Sequence, residues 1–232
     1  MQNCIRVFFR EMLLDMTYCD FSKTGSREQK PGHDAIAGVT GVILAGGASR
    51  RMGKNKALLK IGESLLIEKV YATMAALFHD VILVTNTPDA YAFIPCRAVP
   101  DVYPGAGSIA GLHAGLNASG TGRIFVAACD MPFLNADLIR LLCQNAEEYD
   151  AVVPLNRSGR REPLHALYAK SALGAMEQAI LSGDKSIMKL LDRLVTRFVT
   201  NDLFCSIPGA EESFRNLNTP AEFAEVASHL SG

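Results

Sequence analysis

The sequence predicts a single α/β domain with three layers, in which a mainly parallel sheet lies between helices. From residue 40 onward, short apolar segments alternate with segments of helical length. The apolar segments are continuous rather than alternating, which is typical of strands that helices cover on both faces. The chain has 232 residues, 49% of them hydrophobic, which is enough to bury one core without disulfides or metals. No internal repeat and no second domain is visible.

Six segments predict strands: the first four are continuous apolar segments bounded by turn residues, and the last two would add later strands. They are residues 41–45, 80–85, 123–128, 150–154, 163–168 and 193–200. Strands that alternate with helices favour parallel pairing through crossover connections.

Three segments between these strands predict helices. Residues 64–78 have apolar positions near one face and Ser64 as a candidate cap, and residues 135–149 begin at Asn135 behind Pro132. Residues 186–194 follow the short loop "SGD" and predict a further helix.

The amino-terminal part differs from the rest, so we expect a poorly ordered or accessory tail at residues 1–38 and the folded domain at residues 39–232. Residues 1–21 mix acids with bases and lack the long apolar stretch of a signal peptide. Residues 22–38 are polar and resemble a linker. The alternative is a short amphipathic docking helix.

Composition excludes several function classes. A net charge of −1 disfavours a general nucleic-acid binder, which usually carries a basic excess. The six cysteines form no C-x-x-C pair and match no zinc site, which favours free thiols and a cytoplasmic location. No apolar run approaches the roughly 20 residues that span a bilayer, so we expect no membrane contact.

The stretch "GVILAGGASRRMGKNK", residues 41–56, predicts a site for a nucleoside triphosphate. Ligands of such sheets bind beyond the carboxyl ends of the strands, and here two glycines and then four cations follow a strand: Gly46, Gly47, Arg50, Arg51, Lys54 and Lys56. Glycine lets phosphates approach the backbone and tolerates positive φ, while Arg and Lys neutralise them. The G-x-G-x-x-G and G-x-x-x-x-G-K-[ST] patterns are absent. The alternative is a glycine turn followed by a solvated basic loop.

A second motif, "VAACDMP", predicts a magnesium ligand. Asp130 comes at the end of an apolar strand, which Pro132 prevents from continuing. Mg²⁺ commonly binds one or two carboxylates together with substrate phosphates. The alternative role of Asp130, as the cap of the next helix, suits Asn135 better.

The third cluster, residues 99–116, predicts contacts to a base or ribose. Asp101 follows a short apolar run, and four glycines with Ser108 make a loop that can lie against a flat ligand. Asn86 follows another strand and is a candidate nucleoside contact. A plain connecting loop is the alternative.

With "LAGGASRRMGKNKALL", "PDVYPGAGSIAGLHAGL", "ACDMP" and "FRNLNTP" in this order, residues 39–230 closely resemble molybdenum cofactor guanylyltransferases of the MobA type. These belong to a nucleotidyltransferase superfamily with a Rossmann-like fold. The resemblance implies transfer of GMP from GTP to the terminal phosphate of molybdenum-loaded molybdopterin, with Mg²⁺ as cofactor and pyrophosphate as product. It also implies partners that deliver molybdopterin or mature molybdoenzymes.

The resemblance assigns roles residue by residue. The GTP contacts it implies are Leu44, Ala45, Gly46, Gly47, Lys56, Asn86, Asp101 and Asp130, with Asp130 also holding Mg²⁺. Arg51, Lys56 and Asp130 would then be catalytic, because the nucleophile is an ionised phosphate and the enzyme has mainly to neutralise charge. In this family "LAGG" accompanies guanylyl transfer and "LAAG" cytidylyl transfer.

The acceptor side is less well defined by sequence. Arg157, Arg160 and Arg161 lie in a turn between strands, where they suit a pterin phosphate and equally a solvated hairpin tip. Asn216 and Asn218 align with a family segment near metal and acceptor, whereas their other reading is the entry to a helix. His165, in an apolar strand pattern, is read as a core or cleft histidine rather than a base.

Other functions stay open at this point. They are a molybdopterin cytidylyltransferase, a sugar-phosphate or other nucleotidyltransferase, and a nucleotide-binding regulator without catalysis. A Rossmann dehydrogenase is disfavoured by the missing dinucleotide pattern.

Overall fold

A computed structural model describes residues 35–46, 55–144, 146–217 and 222. Within them the strands are β1 (Val39–Leu44), β2 (Lys60–Ile61), β3 (Ser64–Leu65), β4 (Val81–Val84), β5 (Arg97–Val99), β6 (Arg123–Ala128), β7 (Ala151–Pro154), β8 (His165–Ala169) and β9 (Thr196–Val199). The helices are α1 (Leu66–Leu77), α2 (Ser108–Ala118), α3 (Ala136–Cys143), α4 (Leu173–Leu181) and α5 (Ile187–Leu191). Short 3₁₀ turns lie at Lys56–Leu58, Pro88–Tyr91, Lys170–Ala172, Asn201–Leu203 and Glu211–Phe214.

The described strands form one large sheet in the order β5-β4-β1-β6-β8-β7-β9, and β2 and β3 form a separate hairpin. All pairings among β5, β4, β1 and β6 are parallel, and so is the β7–β9 pair. Only β8 runs antiparallel to its neighbours β6 and β7. The mainly parallel sheet expected from the apolar pattern is therefore confirmed.

The core is divided by the sheet into two apolar layers. On one face Ile43, Leu83 and Phe125 pack with Met74 of α1 and Leu138 of α3. The other face packs against α2, α4 and α5, and its members include Val42, Ile82, Val126, Leu112 and Met176. Alternate residues of each strand thus enter opposite cores, which explains why the strand sequences are apolar throughout.

Two helix boundaries differ from expectation. Ser64 does not cap α1, because it pairs with Ile61 in the β2–β3 hairpin and the helix starts two residues later. There the backbone N–H of Leu65 donates to Glu68 Oε2 at 2.6 Å. At the other boundary, α3 ends at Cys143 instead of continuing to residue 149.

The predicted cap Asn135 is confirmed, and the helix that was expected from Ser186 has that serine as its cap. Asn135 Oδ1 accepts the N–H of Leu138 at 3.0 Å, and Ser186 Oγ accepts the N–H of Lys189 at 3.4 Å. The helix after Ser186 is shorter than expected, at Ile187–Leu191.

The segment 99–116, expected as one glycine-rich loop, is a loop only as far as Gly107, and α2 begins at Ser108. Gly105 and Gly107 have positive φ and belong to the loop. Gly111 and Gly115 instead lie inside α2, where the helix packs closely on β1. These two glycines therefore serve helix packing rather than ligand contact.

Among the described cysteines, Cys96, Cys129, Cys143 and Cys205 are free, in line with the expectation of unpaired thiols. Across the described residues, no helix combines the length and the apolar character needed to cross a membrane.

Replacing Gly115 with Ala should destabilise the protein by about 1–3 kcal/mol, because the new Cβ would lie 2.6 Å from Cγ1 of Val42, a stiff β-branched side chain. The matched control is Gly174→Ala in α4, where a Cβ meets no atom within 4 Å. There the gain in helix propensity should stabilise the protein by about 0.5–1 kcal/mol. Urea unfolding of both variants measures the difference, and equal midpoints would contradict this account of α2 packing.

Candidate active site

The register of three strands brings their carboxyl ends to one edge of the sheet. Leu44 of β1 lies opposite Val84 of β4 and Ala128 of β6. The same pattern continues one residue further, since the N–H of Ala45 donates to Val84 O at 2.9 Å and that of Cys129 donates to Leu44 O at 3.1 Å. Residues that directly follow these strands must therefore gather at one edge, which we call the carboxyl edge.

Ala45 and Gly46 continue β1 at this edge. Ala45 is half-buried and Gly46 is exposed. Gly46 does not adopt the positive φ expected for it, so conformational freedom does not explain the glycine. A Cβ there would meet only Val84 O, at 3.9 Å, among the described residues. The described residues thus leave space beside the backbone of Gly46, which is compatible with a ligand there.

Asn86 and Asp101 are brought together at the ends of β4 and β5. Asn86 Oδ1 accepts the backbone N–H of Asp101 at 2.9 Å, and Asp101 Oδ1 accepts that of Tyr103 at 2.8 Å. Among the described residues no group accepts from the Asn86 amide nitrogen and none donates to the second carboxylate oxygen of Asp101, so both can meet a ligand. This arrangement suits the mixed donors and acceptors of a nucleoside.

Lys56 begins the 3₁₀ turn Lys56–Leu58, for which Asn55 is the cap. Asn55 Oδ1 accepts the N–H of Ala57 at 3.2 Å, and Ala57 is buried in the core. Burial raises the pKa of the Asp130 carboxyl, and the Lys56 ammonium lies close enough to oppose that rise. The turn therefore brings a cation to the carboxyl edge.

Asp130 lies two residues past β6 and is half-buried. Burial raises its pKa above the ordinary 3.8, while a backbone hydrogen bond and Lys56 act in the opposite direction. A carboxylate that loses water without a full complement of partners is a suitable ligand for a hard cation. Within the described residues no three His, Cys, Asp or Glu side chains cluster, so other oxygens must complete a metal site here.

The carboxy-terminal segment lies directly against Asp130. The backbone N–H of Leu217 donates to Asp130 O at 3.0 Å, and Leu217 itself is fully buried beside Ile61 and Leu66. Asn216, the preceding residue, has a buried Oδ1 that accepts no hydrogen bond from the described residues. Asn216 thus combines an orphaned amide oxygen with a main chain that is tethered to Asp130 through the next residue, which makes it a candidate to share a cation with that carboxylate.

His165 is a core histidine, as the strand pattern indicates. It is fully buried, pairs in register with Ala127, and its ring meets Phe125 and Phe214 edge-on at 5.2 Å. Its Nε2 lies 3.5 Å from Ser213 Oγ, which accepts the N–H of Asn135 at 2.9 Å. Burial lowers the His165 pKa from 6.5 to about 3, so the ring is neutral. This cluster supports the segment that leads to Asn216.

The arginines of the β7–β8 hairpin have different surroundings. Arg160 pairs with buried Glu162 at 2.9 Å. Arg161 pairs with Asp192 at 2.7 Å and stacks on Phe198, with its Cζ 4.6 Å from the ring centre. Arg157 is exposed, and its backbone N–H donates to Glu211 at 3.0 Å. Because β7 is parallel to β6 through β8, this hairpin also lies at the carboxyl edge.

Several predicted site residues lie outside the described part of the chain: Gly47, Arg50, Arg51, Lys54 and Asn218. The structure does bring together Leu44, Ala45, Gly46, Lys56, Asn86, Asp101, Asp130 and Asn216 at the carboxyl edge. Sequence reasoning missed the contribution of Leu217 and Ser213, because each acts through a contact to a distant strand. An apolar residue beside two asparagines and a lone serine carry no sequence signal for such contacts.

Comparison with known proteins identifies relatives of this chain. Residues 41–198 match the family model of the MobA-like NTP transferase domain. The chain is 34% identical over 188 residues to a probable molybdenum cofactor guanylyltransferase of Pelotomaculum thermopropionicum, covering 81% of this chain and 91% of that protein. It is 35% identical over 183 residues to the molybdenum cofactor guanylyltransferase of Syntrophotalea carbinolica, covering 78% and 87%.

A solved structure, molybdopterin-guanine dinucleotide biosynthesis protein A of Archaeoglobus fulgidus, superposes with a TM-score of 0.73 at 30% identity. The match covers 83% of this chain and 98% of that one.

Stability should fall in acid because of His165. The unfolded chain binds a proton on this histidine near pH 6.5 and the folded chain only near pH 3. The free energy of unfolding contributed by this linkage is therefore intact above pH 6.5 and should decrease by about 3 kcal/mol between pH 6.5 and pH 4. Urea unfolding across this range should show a flatter pH dependence for His165→Gln or His165→Leu. His79→Gln, at an exposed histidine, is the control and should keep the wild-type slope.

Proposed function

Because the chain belongs to the MobA-like NTP transferase domain family, we propose that it transfers GMP from GTP to the terminal phosphate of molybdenum-loaded molybdopterin. The observation that carries this proposal is the convergence of Gly46, Lys56, Asn86, Asp101 and Asp130 at one edge of the sheet. Backbone space, a cation, nucleoside contacts and a metal-binding carboxylate are the parts that such a transfer needs.

GTP lies across the carboxyl edge in this proposal. Leu44, Ala45 and Gly46, with Gly47 beyond the described residues, offer backbone groups to base and phosphates. Asn86 and Asp101 contact the guanosine. The glycine-containing loop before α2 supports this placement, because α2 begins at Ser108 and its N-cap, Gly107, has no side chain to accept from the first backbone N–H groups, which a base oxygen could meet instead.

The divalent cation fits at Asp130, and we propose Mg²⁺. Two observations support this site: the carboxylate is half-buried with a raised pKa, and the Asn216 amide oxygen, in the segment that hydrogen-bonds to Asp130 through Leu217, lacks a partner among the described residues. Phosphate oxygens of the substrates would complete the ligand set. The cation supplies charge neutralisation at the reacting phosphates.

The reaction needs positioning rather than an activated nucleophile. An ionised oxygen of the acceptor phosphate attacks the α-phosphorus of GTP, forming the new P–O bond while the bond to the β-phosphate breaks and its electrons leave with pyrophosphate. No side chain has to remove a proton, since the attacking oxygen is already ionised at neutral pH. Lys56 neutralises charge that develops on the phosphates, and so does Arg51 in this proposal.

The pterin acceptor enters from the side of the β7–β8 hairpin. Arg157, Arg161, Asn216 and Asn218 are proposed to contact it. The exposed Arg157 side chain forms no ion pair with the described residues, so it can meet a phosphate without breaking one. Arg161 would have to give up its ion pair with Asp192 in exchange for the phosphate. That exchange costs little, because the Asp192 side chain is 60% exposed and solvent screens the pair. A protein that delivers the pterin would dock near this opening.

The direct test is incubation of the protein with Mg²⁺, molybdenum-loaded molybdopterin and either GTP or CTP. We expect the guanine dinucleotide and pyrophosphate with GTP, identified by mass, and at least tenfold slower turnover with CTP. Preference for CTP would assign a cytidylyltransferase instead. Absence of pyrophosphate with every nucleotide would leave a nucleotide-binding regulator.

Asp130→Asn and Lys56→Ala should each lower the rate of guanylyl transfer at least a hundredfold, equivalent to about 2.7 kcal/mol of transition-state stabilisation. Asp130→Asn should at the same time leave the apo protein as stable as wild type or more stable, because burial penalises the charged carboxylate. Initial rates and thermal unfolding without Mg²⁺ measure both effects. Asp137→Asn, at an exposed carboxylate on α3, is the control for the rate and should leave it unchanged. Near-wild-type rates in both site variants would remove this mechanism.

A further inference from the structure

Tyr91 has a buried hydroxyl that packing alone does not require. It ends the 3₁₀ turn Pro88–Tyr91 after β4, its side chain joins the core beside α1, and the residue is 3% exposed. A phenylalanine would fill the same space without burying a polar atom. Burying a hydroxyl lowers the stability of a protein unless the group is hydrogen-bonded. The hydrogen bonds of Tyr91 therefore indicate which role the hydroxyl has.

The hydroxyl of Tyr91 joins two parts of the chain that lie on either side of the candidate phosphate-binding stretch. It accepts a hydrogen bond from Asn55 Nδ2 at 2.8 Å. Its single hydrogen has two acceptors within reach, the carbonyl oxygen of Ala45 at 3.4 Å and Asn55 Oδ1 at 3.2 Å. Because the Asn55 amide already donates to this hydroxyl, we assign the hydrogen to Ala45. Ala45 is the residue that follows β1, and Asn55 is the residue before Lys56. One phenol thus ties the end of the strand to the start of the turn that carries the lysine.

This link bears on the position of Lys56. Asn55 caps the turn Lys56–Leu58 through its Oδ1, and the same side chain donates to Tyr91. The turn therefore has one anchor in the core, through buried Ala57, and one through the Tyr91 hydroxyl. Removing the hydroxyl leaves the first anchor in place and frees the cap, so Lys56 can shift relative to Ala45 without unfolding of the turn.

We propose that Tyr91 is a positioning residue, whose hydroxyl sets the distance between the end of β1 and Lys56 and so aligns the lysine with the phosphates of the nucleotide. The inference rests on the proposed function, because it assigns Lys56 to the triphosphate. Tyr91 itself does not touch the reacting atoms. A displacement of about 1 Å in a charged group is enough to reduce turnover about a hundredfold, so a hydroxyl outside the reaction can affect the rate.

The test compares Tyr91→Phe with Tyr71→Phe. Tyr71 is a matched control on the neighbouring helix α1, since its hydroxyl also donates to a backbone carbonyl, that of Pro95 at 3.0 Å, away from Lys56. Tyr91→Phe should lower kcat/KM for GTP between 10-fold and 100-fold and weaken GTP binding, with KM for the pterin acceptor unchanged. Tyr71→Phe should leave all of these within twofold of wild type. Thermal unfolding of both variants checks that they are folded at the assay temperature.

Combining Tyr91→Phe with Lys56→Ala distinguishes positioning of Lys56 from a purely structural role of the tyrosine. If Tyr91 acts through Lys56, the double variant should be no more than twofold slower than Lys56→Ala alone. If the Tyr91 effect multiplies fully in that background, or if Tyr91→Phe is as active as wild type, the positioning role is overturned while the proposed function stands. A wild-type protein that neither binds GTP nor transfers GMP overturns the proposed function, and this inference with it.

Discussion

The pairing of β1 with β4 on one side and β6 on the other is the constraint on which the candidate site depends. Parallel register places Leu44 opposite both Val84 and Ala128. Backbone hydrogen bonds from Ala45 and Cys129 extend this pairing one residue past the strand ends, on both sides of β1. Side chains that follow these strands are therefore brought to the carboxyl edge by the main chain rather than by contacts with one another. Such a frame tolerates exchange of individual site residues, because the positions are set by strand ends that are buried on both faces.

The strands were predictable because a doubly covered sheet leaves a local signature, continuous apolar segments bounded by turn residues. The antiparallel direction of β8 was not, since the same apolar pattern serves either direction and only the short β7–β8 hairpin distinguishes them. The start of α2 was missed for a related reason. Its glycines suggested a loop, whereas Gly115 is small so that α2 can approach Val42 closely. Ser64 was predicted as a helix cap from its position before an apolar segment, but it pairs with Ile61 in the β2–β3 hairpin instead.

At the site, the residues that directly follow strands could be predicted from the sequence, whereas the residues that hold these site residues in place could not. Asp130 and Asn86 are visible because a polar residue at the end of an apolar run is unusual. The contacts that support the site from behind are invisible, since they join residues remote in sequence: Asn55 and Tyr91 are separated by 36 positions, and His165 and Ser213 by 48. No local pattern records such contacts, and a single sequence gives only the residue types that are capable of them.

The same edge also collects groups that destabilise the empty protein. Asp130 is partly desolvated, the Asn216 amide oxygen has no partner among the described residues, and His165 is buried in its neutral form. In a core built for stability alone, apolar side chains would replace them at a gain in unfolding free energy. A cation and a nucleotide that bind here would satisfy the carboxylate and the amide but leave His165 unchanged. The energy lost at the first two is thus recoverable on binding, whereas that of His165 belongs to the scaffold that holds Ser213 and the segment leading to Leu217. Buried polar groups that bind a ligand can therefore be distinguished from those that support the scaffold, although both kinds occur at the same end of the sheet.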